Sequence, residues 1–412
     1  MQITRAIVLA GIVLALSGVA EALPEPGDVF REYPMATGML RIGERWEWGG
    51  SNSGKNMNLA PKEGAASWNV DLKDAVRAEV QVSFDQCHEG TSGLRIAFND
   101  KDYIALPIPK AIPNPQPRYM FWIYPTVAVP LENLKRGDNV FKLRVDADPK
   151  PAGKGGWMQN LVYAVVLRVY YNPSKPHATG TVTSPKKGGV IGKSATLSVA
   201  TKGAVKQVDF LGFYEDYNYE GDGIYRQWHY TYGLDAAIAD HLGTAAKAPY
   251  SITWDTAWVP DQPEPMKFAA RIVDETGMIY MTPAVEDVRL ERPGYSVELC
   301  KPFDISDAWV TRGGNKTASF NVQGDLSKAT AAIVKCRVWK YEGNGPWSVN
   351  GTAVGALKTE NGVVTTNDLP VKLLRSGKNS VSTAGYGHHG VEICFPSIVP
   401  LIRYENVAAK TP

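Results

Sequence analysis

The 412-residue sequence has little net charge and no long apolar run beyond its N-terminus. Its 44 Lys and Arg residues are balanced by 42 Asp and Glu residues, whereas nucleic-acid-binding domains usually show a clustered basic excess. No later run approaches the ~18 apolar residues that a membrane-spanning helix needs. We therefore expect neither a nucleic-acid partner nor a membrane span.

Familiar catalytic and metal-binding motifs are also missing. The GxSxG, HExxH, Walker and GxGxxG patterns do not occur in a fitting context. The four cysteines (Cys87, Cys300, Cys336 and Cys394) are spaced too widely for a zinc ribbon. Cys336 and Cys394 lie on apolar, strand-like segments, where they are either disulfide partners or buried thiols.

The N-terminus has the pattern of a secretory signal peptide. Arg5 precedes an apolar run over 6–20, and Ala20-Glu21-Ala22 forms an A-x-A cleavage site. We expect residues 1–22 to be removed, so that the mature chain starts at Leu23 and is secreted or periplasmic.

Amphipathic helical stretches are scarce, whereas 39 glycines and 28 prolines supply turns. The segments VQVSF and FKLRV alternate apolar and polar residues, as half-buried strands do. The continuous run LVYAVVLRV is typical of a strand buried on both faces. These patterns predict an all-β fold with at least about 35% strand and under about 12% helix.

Two segments rich in turn residues, 170–189 and 291–302, divide the chain into three blocks. The first block runs over 23–172, the second over 178–292 and the third over 296–405. The phrase L-x-x-G-x-N occurs in the first block at 134–139 and in the third at 374–379. Its Gly permits a positive-φ turn, and its Asn is expected to cap that turn.

These motifs resemble two known families. The third block, with VNG followed by VG and then L-x-x-G-x-N, resembles the galactose-binding-domain-like β-jelly roll of carbohydrate-binding and accessory modules. The first block resembles it more weakly. The second block resembles a bacterial immunoglobulin-like domain in its Ser184-Pro185 start and its alternating Tyr250, Ile252 and Trp254. The resemblance implies three β-sandwich domains: jelly roll, immunoglobulin-like domain, jelly roll.

The second block departs from that family over 214–247, where an insertion of about thirty residues replaces a short hairpin. Long loops on a rigid sandwich often carry function. Aromatic walls with a few polar groups are typical of a ligand site. The candidate glycan-binding residues are Tyr217, Tyr219, Tyr225, Trp228, His229, Tyr230 and His241. The alternative is that these aromatic residues bury area in a joint between blocks.

The same insertion begins with DYNYEGDG, which places oxygen side chains at alternate positions before a glycine. This spacing copies the first half of an EF-hand calcium loop, although Gln227 stands where the closing Glu is expected. The predicted calcium ligands are Asp216, Asn218, Glu220 and Asp222. The alternative is a solvated acidic turn.

The favoured function is that of an exported, non-catalytic protein associated with extracellular polysaccharide. A second hypothesis is a polysaccharide hydrolase or lyase whose site lies in the 214–247 insertion. A third is a structural protein of the cell surface or matrix.

Overall fold

A computed structural model of the chain describes residues 24–43, 57–59, 69–87, 90–116, 121–147, 159–306, 309–310, 314–341, 345–360, 362–384 and 390–405. The expected signal peptide, 1–22, lies outside these residues. More than half of the described residues are in strands, which confirms the all-β prediction. Three-residue 3-10 turns supply the helical elements of this part of the chain, at Leu131–Asn133, Leu326–Lys328 and Val371–Leu373. None of the helices described here has the length and apolar character needed to cross a bilayer.

The first block forms two sheets around one apolar core. One sheet has the order β1-β11-β4, with β7 and β8 pairing with β4, and the other has the order β2-β10-β5-β6. Its strands are β1 (Val29–Gly43), β2 (Met57–Leu59), β3 (Asn69–Val70), β4 (Ala75–Cys87), β5 (Thr91–Phe98), β6 (Ile104–Ala105), β7 (Phe121–Ile123), β8 (Thr126–Val129), β9 (Gly137–Asp138), β10 (Phe141–Ala147) and β11 (Gln159–Tyr171). The continuous apolar strand β11 is buried on both faces, as predicted.

The second block has its own apolar core, in which Trp254 packs against Tyr214 and Phe268. The sheet β12-β14-β20 covers one side of this core. The strands are β12 (Thr179–Ser184), β13 (Val190–Ile191), β14 (Ser194–Lys202), β15 (Val205–Glu215), β16 (Arg226–His229), β17 (Thr231–Tyr232), β18 (Ile238–Ala239), β19 (Gly243–Ala245), β20 (Ser251–Asp255), β21 (Met266–Asp274), β22 (Ile279–Met281) and β23 (Val285–Leu290).

The third block repeats the strand order of the first. Its sheet β26-β31-β28-β29 matches β2-β10-β5-β6, and its other sheet places β33 between β24 and β27, as β11 lies between β1 and β4. The strands are β24 (Tyr295–Leu299), β25 (Trp309–Val310), β26 (Lys316–Val322), β27 (Ala329–Tyr341), β28 (Trp347–Val349), β29 (Thr352–Gly355), β30 (Val364–Asp368), β31 (Gly377–Thr383), β32 (Val391–Ile393) and β33 (Val399–Glu405).

The L-x-x-G-x-N turn of the first block is built around Asn139. Its side-chain amide donates to the carbonyls of Lys135 and Gly137, both at 2.8 Å, and its Oδ1 accepts from the Lys135 N–H at 2.9 Å. Asn99, in the neighbouring tight turn, donates to the same Oδ1 at 3.0 Å. Gly137 has φ +89°, which a residue with a side chain rarely adopts.

The third block contains the same arrangement. Asn379 donates to the carbonyls of Arg375 and Gly377 at 2.6 and 2.8 Å and accepts from the Arg375 N–H at 2.8 Å. Asn350, the counterpart of Asn99, donates to Asn379 at 2.8 Å. The predicted Asn-capped turn is therefore confirmed in both blocks, and in each a second Asn, which was not predicted from the sequence, supports the capping Asn.

The first two blocks share one continuous sheet. Val29 and Phe30 of β1 pair with Tyr280 and Ile279 of β22, which joins the two blocks in a 12-stranded sheet. The Pro- and Gly-rich segment near residue 175 separates the blocks along the chain, yet the backbone hydrogen bonds pass from one to the other. Turn-forming residues such as Pro and Gly indicate where the chain turns, but they do not indicate which strands pair.

We predict that Trp254→Ala lowers the free energy of unfolding by about 3–5 kcal/mol, because Trp254 fills the core of the second block. Trp228, which is partly exposed and packs at the edge of another cluster, should cost much less when it is replaced by Ala. Urea unfolding of both variants tests this. Equal losses for the two would contradict the assignment of Trp254 to the core and Trp228 to its margin.

Candidate functional site: the insertion and the groove beside it

The 214–247 insertion lies where the three blocks meet. It leaves β15, returns as β16 along the same sheet edge, and touches the first block at Gly221. Gly221 has φ +65°, and a Cβ on it would lie 2.2 Å from the carbonyl oxygen of Trp122. Only glycine fits at this contact, so the close approach of the insertion to the first block requires glycine at position 221.

A buried charge network joins the second block to the first. The guanidinium of Arg168, on β11, donates to the carboxylates of Glu32 at 3.0 Å and Glu79 at 2.8 Å. Arg271, on β21, donates to Glu32 at 2.5 Å and to Asp209 at 3.0 Å. Burial would raise the pKa of Glu32, but the two guanidinium groups hold it below its usual value.

The insertion contributes tyrosines to this network. The hydroxyl of Tyr232 donates to the Glu32 carboxylate and accepts from Arg168 at 3.0 Å. Tyr230 and Tyr232 pack with Phe30 and Tyr170 in an apolar cluster between the first two blocks. Part of the aromatic excess of the insertion therefore serves the joint.

Ion pairs also join the insertion to the third block. Lys335 Nζ, on β27, lies 2.7 and 2.8 Å from the two carboxylate oxygens of Asp216. Two residues along the same strand, Arg337 lies 3.3 Å from the Asp240 carboxylate. The Arg337 guanidinium also lies 5.4 Å from the ring of Trp122, so this strand contacts the first block as well.

The structure separates the seven predicted ligand residues into two groups. Tyr217, His229 and Tyr230 are buried in the joint, with 0–2% of their surface exposed. The four that are partly exposed are Tyr219, Tyr225, Trp228 and His241. For the three buried residues the arrangement favours the joint over the ligand site.

His229 is a neutral imidazole enclosed by aromatic rings. One ring nitrogen lies 2.7 Å from the Tyr214 carbonyl, and the rings of Tyr214 and Tyr219 pack against it edge-on. Burial lowers the pKa of His229 to about 4, although the nearby Asp216 opposes that shift.

The side chains of Asp216, Asn218 and Asp222 in the predicted calcium loop have protein partners in this structure. The Asn218 amide donates to Asp222 at 2.6 Å and to the Ile224 carbonyl, and its oxygen accepts from the Gly223 N–H at 3.1 Å. The Asp216 carboxylate faces Lys335, whose ammonium a calcium ion would have to displace. Within the described ranges no group of three or more His, Cys, Asp or Glu side chains is placed to hold a metal.

The third-block cysteines are buried free thiols. Cys300, Cys336 and Cys394 form no disulfide in the structure. Of the two alternatives for Cys336 and Cys394, the buried thiol is therefore the one found. Burial raises the pKa of the Cys336 thiol to about 12, which leaves it unreactive as a nucleophile.

An open groove of about 720 Å³ lies between the second and third blocks, beside the root of the insertion. Four of its lining side chains are exposed and polar: Asp261, Lys301, Asn321 and Gln323. Tyr225 borders the groove, because its ring centre lies 5.2 Å from Lys301 Nζ. The groove thus combines amide, charged and aromatic groups, the usual composition of a ligand site.

Three carboxylates line the groove, and each is held by donors or cations. Glu215 pairs with Lys301, and Asp261 lies 2.5 Å from Arg292. Glu298 accepts from the backbone N–H groups of Gln323 at 2.7 Å and Gly324 at 3.2 Å, and from the Tyr404 hydroxyl at 2.5 Å. The oxygens of these carboxylates are thus engaged by groups of the protein itself.

Sequence reasoning missed the third-block wall of this groove. Asn321 and Gln323 alternate with the buried Val322, a pattern that the sequence does show. That alternation predicts which side chains point outward, but a groove requires knowing which other segment lies opposite them.

Comparisons with known proteins identify no family. No family model matches the chain, and neither does any curated protein. Among solved structures, the fibronectin(III)-like modules of CbhA from Clostridium thermocellum are 17% identical, with a TM-score of 0.19 over 47% of this chain and 80% of theirs. A β-porphyranase of glycoside hydrolase family 86 from Bacteroides plebeius is 13% identical, with a TM-score of 0.21 over 57% of this chain and 38% of its own. Likenesses this low carry no argument about fold or function.

We predict that His229 makes the protein acid-sensitive. Unfolded, its imidazole takes up a proton near its ordinary pKa of 6.5; folded, it does so only near pKa 4. The folded state therefore loses stability as the pH falls from 6.5 towards 4, by about 3 kcal/mol in full. Urea unfolding of the wild type and His229→Gln across this range should give a steeper loss for the wild type; parallel curves would rule out this role.

We predict that Lys335→Met lowers the free energy of unfolding by about 3–5 kcal/mol, because it leaves the buried Asp216 carboxylate without its cation. The double variant with Asp216→Asn should cost less than the sum of the single variants. Lys187→Met, which removes an exposed ion pair with Asp287, serves as the control and should change stability by under about 1 kcal/mol.

Thermal unfolding of the wild type distinguishes this ion pair from a calcium site. If Lys335 alone neutralises Asp216, a chelator leaves the melting temperature of the wild type unchanged. A melting temperature that falls with chelator and recovers with excess calcium would instead establish the predicted calcium ligands.

Proposed function

We propose that this chain is an exported, non-catalytic polysaccharide-binding protein whose contact surface is the groove between the second and third blocks. The observation that carries the proposal is the composition of that groove. It presents the exposed amides of Asn321 and Gln323 along an open groove, and the ring of Tyr225 lies next to Lys301 of the lining. Amides donate and accept hydrogen bonds at once, as sugar hydroxyls require of their partners.

The proposal includes three β-sandwiches in the order jelly roll, immunoglobulin-like domain, jelly roll, over 23–172, 178–292 and 296–405. Three separate apolar cores support this division, one for each block. The repeated sheet order of the outer blocks supports a shared fold for them. Export is inferred from the signal-peptide pattern over 1–22.

Two other functions would give different results in the binding experiment described below. A hydrolase or lyase would use the three groove carboxylates, each of which contacts a donor or cation of the protein. A structural protein would use the insertion only as a joint between blocks, a role that the burial of Tyr217 and His229 supports.

A glycan array, run in parallel with assays for new reducing ends and unsaturated uronates, tests the proposal on the chain from Leu23 onward. We expect binding without product. Tyr225→Ala and Gln323→Ala should weaken binding at least about tenfold, roughly what losing one good contact costs. Asn315→Ala removes an exposed amide outside the groove and should leave binding unchanged. Release of product would establish an enzyme, and the absence of both binding and product a structural protein.

A further inference from the structure

We infer that the groove selects an uncharged polysaccharide over chains that carry uronate or sulfate groups; this inference rests on the proposed function. The lining includes three carboxylates, Glu215, Asp261 and Glu298, and a single cation, Lys301. The lining therefore carries two more negative charges than positive ones. An anionic sugar that enters the groove meets charge of its own sign.

The one lining cation is already engaged. Lys301 Nζ pairs with the Glu215 carboxylate and lies over the ring of Tyr225. A sugar carboxylate that approached this ammonium would share it with Glu215, so the two carboxylates would lie close together. Their mutual repulsion would offset part of what the new contact contributed.

One cation behind the wall, Arg292, is turned away from solvent. It is 5% exposed, and its Nη1 donates to the carbonyls of Thr256 and Val259 at 2.7 and 2.8 Å. Its Nη2 lies against Asp261, which is itself part of the lining. The Arg292 guanidinium thus bonds to groups of the protein, and the described residues that line the groove include no arginine.

Besides these charged side chains, the groove offers a ligand several neutral polar groups. Asn321 and Gln323 project at the end of β26, and the ring of Tyr225, on the insertion, lies next to Lys301 of the lining. The ring offers a face for the C–H groups of a sugar, and the amides offer both hydrogen-bond polarities. The carboxylates can still accept from sugar hydroxyls, which an uncharged chain supplies along its whole length.

The test compares polysaccharides that share a backbone and differ in charge, such as methyl-esterified and de-esterified galacturonan, or hydroxyethyl- and carboxymethylcellulose. The wild type should bind the uncharged member of any pair that it recognises at least about tenfold more tightly. Gln323→Lys places a free ammonium in the groove and should raise affinity for the anionic member severalfold, with the gain lost at high ionic strength. Asn315→Lys adds the same charge outside the groove and should not.

The outcomes distinguish this inference from the function on which it rests. Tighter binding of the anionic member by the wild type, or equal effects of Gln323→Lys and Asn315→Lys, overturns the charge selection while polysaccharide binding stands. If the wild type binds none of the tested polysaccharides, charged or uncharged, the proposed function itself is overturned. Binding that Tyr225→Ala does not affect also overturns it.

Discussion

The Glu32 carboxylate, which both Arg168 of the first block and Arg271 of the second contact, is the constraint on which the docking of these two blocks depends. Arg168 is fully buried, and a buried charge is tolerated only when its partners are close and complete. Arg271 reaches Glu32 from the second block and completes the network. If the blocks separated, these charges would lose their partners across the joint, so the network favours one docking geometry over others of similar apolar area.

The two outer blocks turn equivalent sheet faces towards the middle of the molecule, and these faces carry opposite charge. The first presents Glu32 and Glu79 around Arg168, whereas the third presents Lys335 and Arg337. The second block places side chains of opposite charge against each of these faces. Arg271 comes from its β21 strand, and the carboxylates that meet the third block come from the insertion. A short hairpin in place of the insertion would leave the third-block cations without these partners.

Local chemistry was readable in the sequence wherever neighbouring residues decide the structure. The Asn139 and Asn379 turns follow from a six-residue phrase, and the core position of Trp254 follows from alternation with Tyr250 and Ile252. The β4 strand shows where such reasoning stops. Its polar positions suggested a half-buried strand, yet Glu79 and the other polar side chains of that face are buried beneath other blocks. Periodicity tells which residues share a face but not what covers it. The groove escaped prediction for the same reason, since its walls come from segments far apart in the chain.

The pairing of β1 with β22 has a consequence for how the chain matures. On the side of β1 that faces β22, Val29 and Phe30 pair with Tyr280 and Ile279, some 250 positions later in synthesis. At ribosomal speeds this interval lasts roughly 10–50 s, during which that end of β1 is an open strand edge. The early chain thus cannot complete its large sheet while it is being made. If the chain is exported as proposed, this delay keeps the leading segment out of its large sheet at the stage when it passes the membrane.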